Sequence, residues 1–152
     1  MSLSSCKSSR CLLDLLIVLD ASGSVRQRFQ RQLDLIAELV DRLQIGADQT
    51  RVALLKYAGP QKARLAFDFE SKELKEAIKK VGFIGGITYT NEALLKAEEV
   101  LRNLNGRRSY ATSAVVVFTD GFSHEDPSSG NTFLYCLMCL TRSYGKMCLN
   151  CY

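Results

Sequence analysis

The stretch DLLIVLDASGSV, residues 14–25, decides the fold. With Leu12 and Leu13 before it, LLDLLIVL (12–19) is nearly continuous in apolar residues instead of alternating apolar with polar, the pattern of a strand covered on both faces. RVALLKY (51–57) and SAVVVF (113–118) have the same character. Between them the apolar positions change to helical spacing. Phe29, Leu33, Ile36, Leu39, Val40 and Leu43 share one face ahead of Gly46, and Leu74, Ala77, Ile78 and Val81 follow Ser71, a good N-cap, and end at Gly82. A third such helix carries Leu94, Ala97, Leu101 and Leu104 before Gly106. Doubly covered strands interleaved with amphipathic helices predict an α/β, Rossmann-like, mainly parallel sheet flanked by helices. ARLAFDF (63–69) reads as a shorter strand joined to its predecessor through the Gly59-Pro60 turn.

Composition agrees with one globular domain. The chain has 152 residues, 47% hydrophobic and 24% charged, which excludes disorder throughout and leaves no room for a second full domain. Twenty Lys plus Arg against sixteen Asp plus Glu give a net charge of +4, without the clustered basic surface that a phosphate backbone selects, so nucleic acid is not an expected partner. No apolar run reaches the ~18–20 residues of a membrane span. Lys7 and Arg10, the apolar run and Ala21-Ser22-Gly23 imitate a signal peptide, but Asp14 interrupts the apolar part, and the run serves equally as a buried strand. A clear signal peptide is therefore not expected within this chain.

In open parallel sheets, ligands bind beyond the carboxyl ends of the strands, where strand order reverses. The first apolar strand ends in Asp20, and the 113–118 strand runs into Thr119-Asp120-Gly121. With the first strand central, Asp20 and Asp120 meet across the crevice, and two bare carboxylates there repel. A divalent cation resolves that repulsion. The nearby hydroxyls of Ser22 and Ser24 are hard oxygen donors of the kind Mg²⁺ takes, with Gly23 between them allowing a tight backbone. A third hydroxyl source is the loop Gly85-Gly86-Ile87-Thr88-Tyr89-Thr90, whose glycines permit close approach to the crevice.

From Asp14 to Ser123 the chain resembles the von Willebrand factor type A, or integrin I-like, domain and its metal-ion-dependent adhesion site (MIDAS). The first motif, Asp-x-Ser-x-Ser, is Asp20-Ala21-Ser22-Gly23-Ser24; the threonine loop is GGITYTNEAL, with Thr88 on the metal side; the last aspartate is Asp120 in VVVFTDG. The resemblance implies a metal site of Asp20, Ser22, Ser24, Thr88 and Asp120 holding Mg²⁺, with Mn²⁺ or Ca²⁺ as substitutes. It implies a partner carboxylate completing the shell, and hence cell adhesion through an extracellular protein such as collagen or another matrix protein, the chain being a secreted part of a larger parent. No bond is made or broken in that function. An enzyme of the phosphoryl-transfer class also uses Mg²⁺ between strand-end carboxylates, but phosphatases of comparable fold put a second Asp where Ser22 stands, and no phosphate-binding Gly-x-x-x-x-Gly-Lys loop occurs. An inactive truncated isoform is the third reading.

The domain is expected over residues 13–126, after an N-terminal segment (1–12) and before a divergent Cys-rich tail (127–152). In the family, further strand and helix units follow the last aspartate, so the final units are expected to be missing or replaced, leaving an aggregation-prone edge unless FLYCLMCL (133–140) pairs there. Four of six cysteines form Cys136-x-x-Cys139 and Cys148-x-x-Cys151, too closely spaced for the usual zinc module, so disulfides or idle thiols are the expectation; Cys6 and Cys11 precede the first strand. Thr90 and Asn91 are expected to cap the third helix, and His124 to sit on a solvent loop. Tyr89 and Phe122 are expected to flank the crevice. Lys72, Lys75, Lys79 and Lys80 belong to a solvated helix face.

Overall fold

The computed structural model describes residues 12–103, 106–120 and 123–124, and the backbone of the strands within 136–139 and 148–151. Strand β1 (Leu13–Asp20) leads into a 3₁₀ helix (Gly23–Arg28) and α1 (Phe29–Asp41); β2 (Thr50–Tyr57), β3 (Arg64–Phe67), α2 (Leu74–Lys79), α3 (Thr90–Arg102), β4 (Thr112–Thr119), β5 (Cys136–Cys139) and β6 (Cys148–Cys151) follow. The sheet order is β3-β2-β1-β4-β5-β6, with β1 parallel to both β2 and β4 and β3 antiparallel to β2. This is the α/β, Rossmann-like architecture predicted from the apolar runs.

The continuous apolar strand is explained by burial on both sides. Leu15, Ile17 and Leu19 face a core closed by Val25, Phe29, Leu33, Ile36 and Val40, with Leu74 and Ile78 from α2. Leu16 and Val18, on the alternate positions, join Ala53, Leu55 and Val117 under Ala93, Leu94, Ala97 and Val100 of α3. Each such side chain contributes about 1.5–3 kcal/mol when fully buried, so losing either helical layer would expose one whole side of the central strand. Asp14, one of two polar residues in that strand with Asp20 at its end, is fully buried against Arg108.

Two expectations need correction. The second helix starts at Leu74 after Glu73, not at Ser71. The Asp68 side chain accepts the Glu70 amide at 3.0 Å, and the Asp68 carbonyl accepts that of Ser71 at 3.3 Å, so residues 68–71 form a local turn ahead of the helix. Gly82 does not end that helix, which closes at Lys79. The edge beside β4 is covered: β5 lies parallel to it with Val116 opposite Cys136 and Thr119 opposite Cys139, and β6 returns antiparallel with Cys136 opposite Cys151 and Cys139 opposite Cys148. Part of FLYCLMCL thus forms the substitute strand. Cys6, Cys11, Leu104 and Phe122 lie outside the described residues. Lys72, Lys75, Lys79 and Lys80 are exposed as expected, but only Lys75 and Lys79 lie within α2, where they form surface ion pairs with Asp41 and Glu76.

Candidate metal centre

The parallel registry of β1 with β2 and β4 brings the carboxyl ends of the three strands to one edge. Asp20 is the last residue of β1 and is fully buried. Its Oδ1 accepts the Ser22 amide at 2.9 Å and its Oδ2 accepts the Thr119 hydroxyl at 2.9 Å. Burial pushes the Asp20 carboxyl above its ordinary range; hydrogen bonds from Ser22 and Thr119 oppose that shift, and the neighbouring charge of Asp120 adds to it. Asp120 is half-buried immediately after β4. The two carboxylates are thus close enough to repel.

The hydroxyls converge on Ser22, which is buried. Thr88 Oγ1 donates to Ser22 Oγ at 2.8 Å, and Ser22 Oγ and Ser24 Oγ are 3.1 Å apart. Thr88 is itself buried, whereas Ser24 is exposed and marks the open side. All five sequence-derived positions therefore lie in one neighbourhood. Their donors are all oxygen, and among the described residues no three His, Cys, Asp or Glu side chains gather as metal ligands. Two carboxylates with three hydroxyls suit a hard cation such as Mg²⁺ and not a nitrogen- or sulfur-seeking one.

Backbone contacts hold the two loops together. The Gly23 amide donates to the Gly86 carbonyl at 2.7 Å, and the amides of Ile84 and Gly85 donate to the Ala21 carbonyl at 3.3 and 2.8 Å. A Cβ at Gly23 would stand 3.1 Å from the Gly86 oxygen, and Gly86 has φ +98°, so both glycines are needed for this approach.

Several neighbours differ from expectation. Neither Thr90 nor Asn91 caps α3: Thr90 is its first residue, Tyr89 precedes it without a side-chain cap bond, and the Thr90 amide donates to Ser123 Oγ at 3.3 Å. The Thr90 hydroxyl lies 3.2 Å from the buried Tyr57 hydroxyl. Burial and the charges of Asp20 and Asp120 push the Tyr57 phenol far above its ordinary range. Asn91 Oδ1 is buried without a hydrogen-bond partner among the described residues. His124 is exposed, but its side chain reaches Thr88, and its ring lies parallel to that of half-buried Tyr89, 6.3 Å between centroids. Thr119, Tyr57 and Ser123 were not singled out from sequence. Only Thr119 carried a signal there, as the residue before Asp120 at a strand end.

The fold and site define a Rossmann-like α/β domain with an oxygen-lined cradle at the carboxyl edge of a parallel sheet. Residues 14–131 match the von Willebrand factor type A domain, and the chain belongs to that family. Cuticlin-6 of Caenorhabditis elegans is 31% identical over 125 residues, 80% of this chain and 22% of that protein. Von Willebrand factor A domain-containing protein 2 of Xenopus laevis is 44% identical over 85 residues, 54% of this chain and 11% of its own length. The human collagen alpha-5(VI) chain is 30% identical over 128 residues, 81% of this chain and 5% of its own. The chain spans less than a quarter of each of these relatives. Proximal thread matrix protein 1 from the mussel byssus shares the fold with a TM-score of 0.62 at 25% identity, over 80% of this chain and 32% of that one.

Proposed function

We propose that the chain is a metal-ion-dependent protein-binding module for adhesion, gripping an acidic residue of an extracellular matrix or cell-surface partner. The observation that carries the reading is the hydroxyl chain Thr88–Ser22–Ser24 beside the Asp20 and Asp120 carboxylates. Asp20, Ser22, Ser24, Thr88 and Asp120 would hold Mg²⁺, or Mn²⁺ or Ca²⁺ in its place, and the ion would supply a hard positive charge that a partner carboxylate can meet. Asp20 is oriented by the Ser22 amide and the Thr119 hydroxyl, so its oxygens have fixed directions before any ion arrives. Exposed Ser24 leaves a side on which a partner can approach. The relatives named above include a collagen chain, which favours collagen or another matrix protein as partner and an extracellular site of action. None of those relatives bears an enzyme's name, and binding without turnover is the reading that follows. Among the described residues no helix is long and apolar enough to cross a membrane.

The test joins ion binding to partner capture. Mg²⁺ should raise the melting temperature of the wild type, because it binds the folded state alone, and Asp120→Ala should abolish the rise. Immobilised collagen or matrix extract should retain the wild type in Mg²⁺ and release it in EDTA, with Thr88→Ala showing no Mg²⁺-dependent retention. Retention unaffected by EDTA would refute the metal-dependent mode.

A further inference from the structure

We propose that Ser123 and His124 form a positioning clasp that fixes the threonine loop, and Thr88 in particular, for cation binding; this rests on the metal-site reading above. The loop from Gly85 to Tyr89 belongs to no helix or strand, and Gly85 and Gly86 both have positive φ, so no regular ladder sets the position of Thr88. Among the described residues, His124 holds its backbone instead. The Thr88 amide donates to His124 Nδ1 at 3.2 Å, and the Thr88 carbonyl accepts the His124 amide at 2.9 Å. Nδ1 also lies 3.3 Å from the Thr88 carbonyl oxygen, so the ring nitrogen meets both backbone groups of Thr88, accepting from the amide in the tautomer that carries its proton on the other ring nitrogen. Two residues on, Ser123 Oγ accepts the Thr90 amide at 3.3 Å, one of the first-turn amides that a helix leaves unsatisfied.

The clasp arises three and four residues beyond Asp120, so the segment carrying one candidate ligand holds the loop carrying another. With its backbone fixed on both sides, Thr88 presents Oγ1 to Ser22 Oγ at 2.8 Å. The loop has independent anchors on either side. The Gly85 amide donates to the Ala21 carbonyl at 2.8 Å and the Tyr89 amide to the Ala58 carbonyl at 3.0 Å. Removing the His124 side chain therefore loosens Thr88 without releasing the loop. Asparagine at position 124 offers an oxygen acceptor at similar reach to Nδ1, whereas alanine offers none.

The experiment compares the full chain with His124→Ala, His124→Asn and Ser123→Ala by amide hydrogen exchange at Thr88 without metal, and by calorimetric titration with Mn²⁺. His124→Ala is expected to speed Thr88 exchange and weaken Mn²⁺ binding, each on the order of tenfold, the loss of one buried amide's partner. His124→Asn should restore both toward wild type, which a general packing role for the imidazole would not allow. Ser123→Ala should weaken Mn²⁺ binding in the same direction, and it carries the test if His124→Ala loses cooperative unfolding. Wild-type Thr88 exchange in His124→Ala, or unchanged Mn²⁺ affinity in His124→Ala and Ser123→Ala, overturns the clasp while leaving the metal site standing. Failure of the wild type to bind Mn²⁺ overturns the metal-site reading, and the clasp's role in cation binding falls with it.

Discussion

Arg108 is held against Asp14 at the end of the central strand opposite the candidate metal centre, and both side chains are almost wholly buried. Arg108 Nε and one terminal nitrogen donate to Asp14 Oδ1 at 3.0 and 2.7 Å, while its backbone amide donates to Oδ2 at 2.6 Å. The other terminal nitrogen donates to the Ala47 carbonyl at 2.7 Å, and the one that meets Asp14 also reaches the carbonyls of Leu13 and Gln49 at 3.0 and 2.7 Å. One side chain thus joins β1, the α1–β2 connection and the segment before β4.

Removing either partner leaves a buried charge uncompensated. Asp14→Leu or Arg108→Met should each lower the unfolding free energy by about 3–5 kcal/mol in urea titration. The double variant Asp14→Leu/Arg108→Met should recover part of that loss, because no isolated charge remains, yet not all of it, because the carbonyls of Ala47, Leu13 and Gln49 lose the guanidinium as a donor. A double variant as unstable as the sum of the singles would show that the loss is steric and not electrostatic.

Asp20 sets a pH dependence whose sign follows from its raised pKa. The unfolded chain releases this proton near the ordinary value of 3.8, and the folded chain at a higher pH, chiefly because the carboxyl is buried. Between the two values the folded state binds more protons, so the metal-free protein loses stability as pH rises through that window, and the loss is complete above the folded value. Asp20→Asn should flatten this part of the stability curve in metal-free buffer. A bound cation favours the ionised form instead, so the Mg²⁺-induced rise in melting temperature should be full at pH 7 and shrink as pH falls through the raised pKa. A rise of equal size throughout the acid range would contradict this assignment.

The strands β1, β2 and β4 were legible because burial on both faces demands continuous apolar sequence, and Leu15 through Leu19 leave no polar position for a solvent face. The five candidate ligands were legible because the Asp-x-Ser-x-Ser motif, the glycine-threonine loop and the strand-end Asp120 each carry a local pattern. What escaped depends on contacts between residues far apart in sequence. Asp14 meets Arg108 across 94 positions and Thr88 meets His124 across 36, and neither pair has a spacing rule. The start of α2 escaped for a local reason, since a turn over Asp68 to Ser71 comes before the helix, which begins only at Leu74.

Gly86 is the backbone hinge on which the two loops approach. At φ +98° an alanine is strained, and the Gly86 carbonyl must still receive the Gly23 amide at 2.7 Å. Gly86→Ala should cost about 1 kcal/mol or more of stability and weaken the Mg²⁺-induced melting shift, because Thr88 lies two residues away. Gly46→Ala is the control, since Gly46 has no positive φ and a Cβ there meets a side-chain atom of Gln49 that can turn aside. Equal effects from the two variants would mean that loop approach is not what Gly86 secures.

Tyr57 lies under the cradle with its hydroxyl 3.2 Å from Thr90 Oγ1, at the end of β2 opposite Asp20 in the parallel register. Tyr57→Phe keeps the ring that packs among Leu16, Val18 and Ala93 and deletes only the hydroxyl. The Thr90 hydroxyl would then lose a buried partner, at a cost of about 1–2 kcal/mol in urea unfolding. Thr90→Val removes the other half of the same bond. The two changes share one interaction, so the double variant should lose clearly less than the sum of the singles. Additive losses would place the stabilising contact of the Tyr57 hydroxyl elsewhere, with the Asp20–Thr119 pair as the neighbouring polar group to examine by the same cycle.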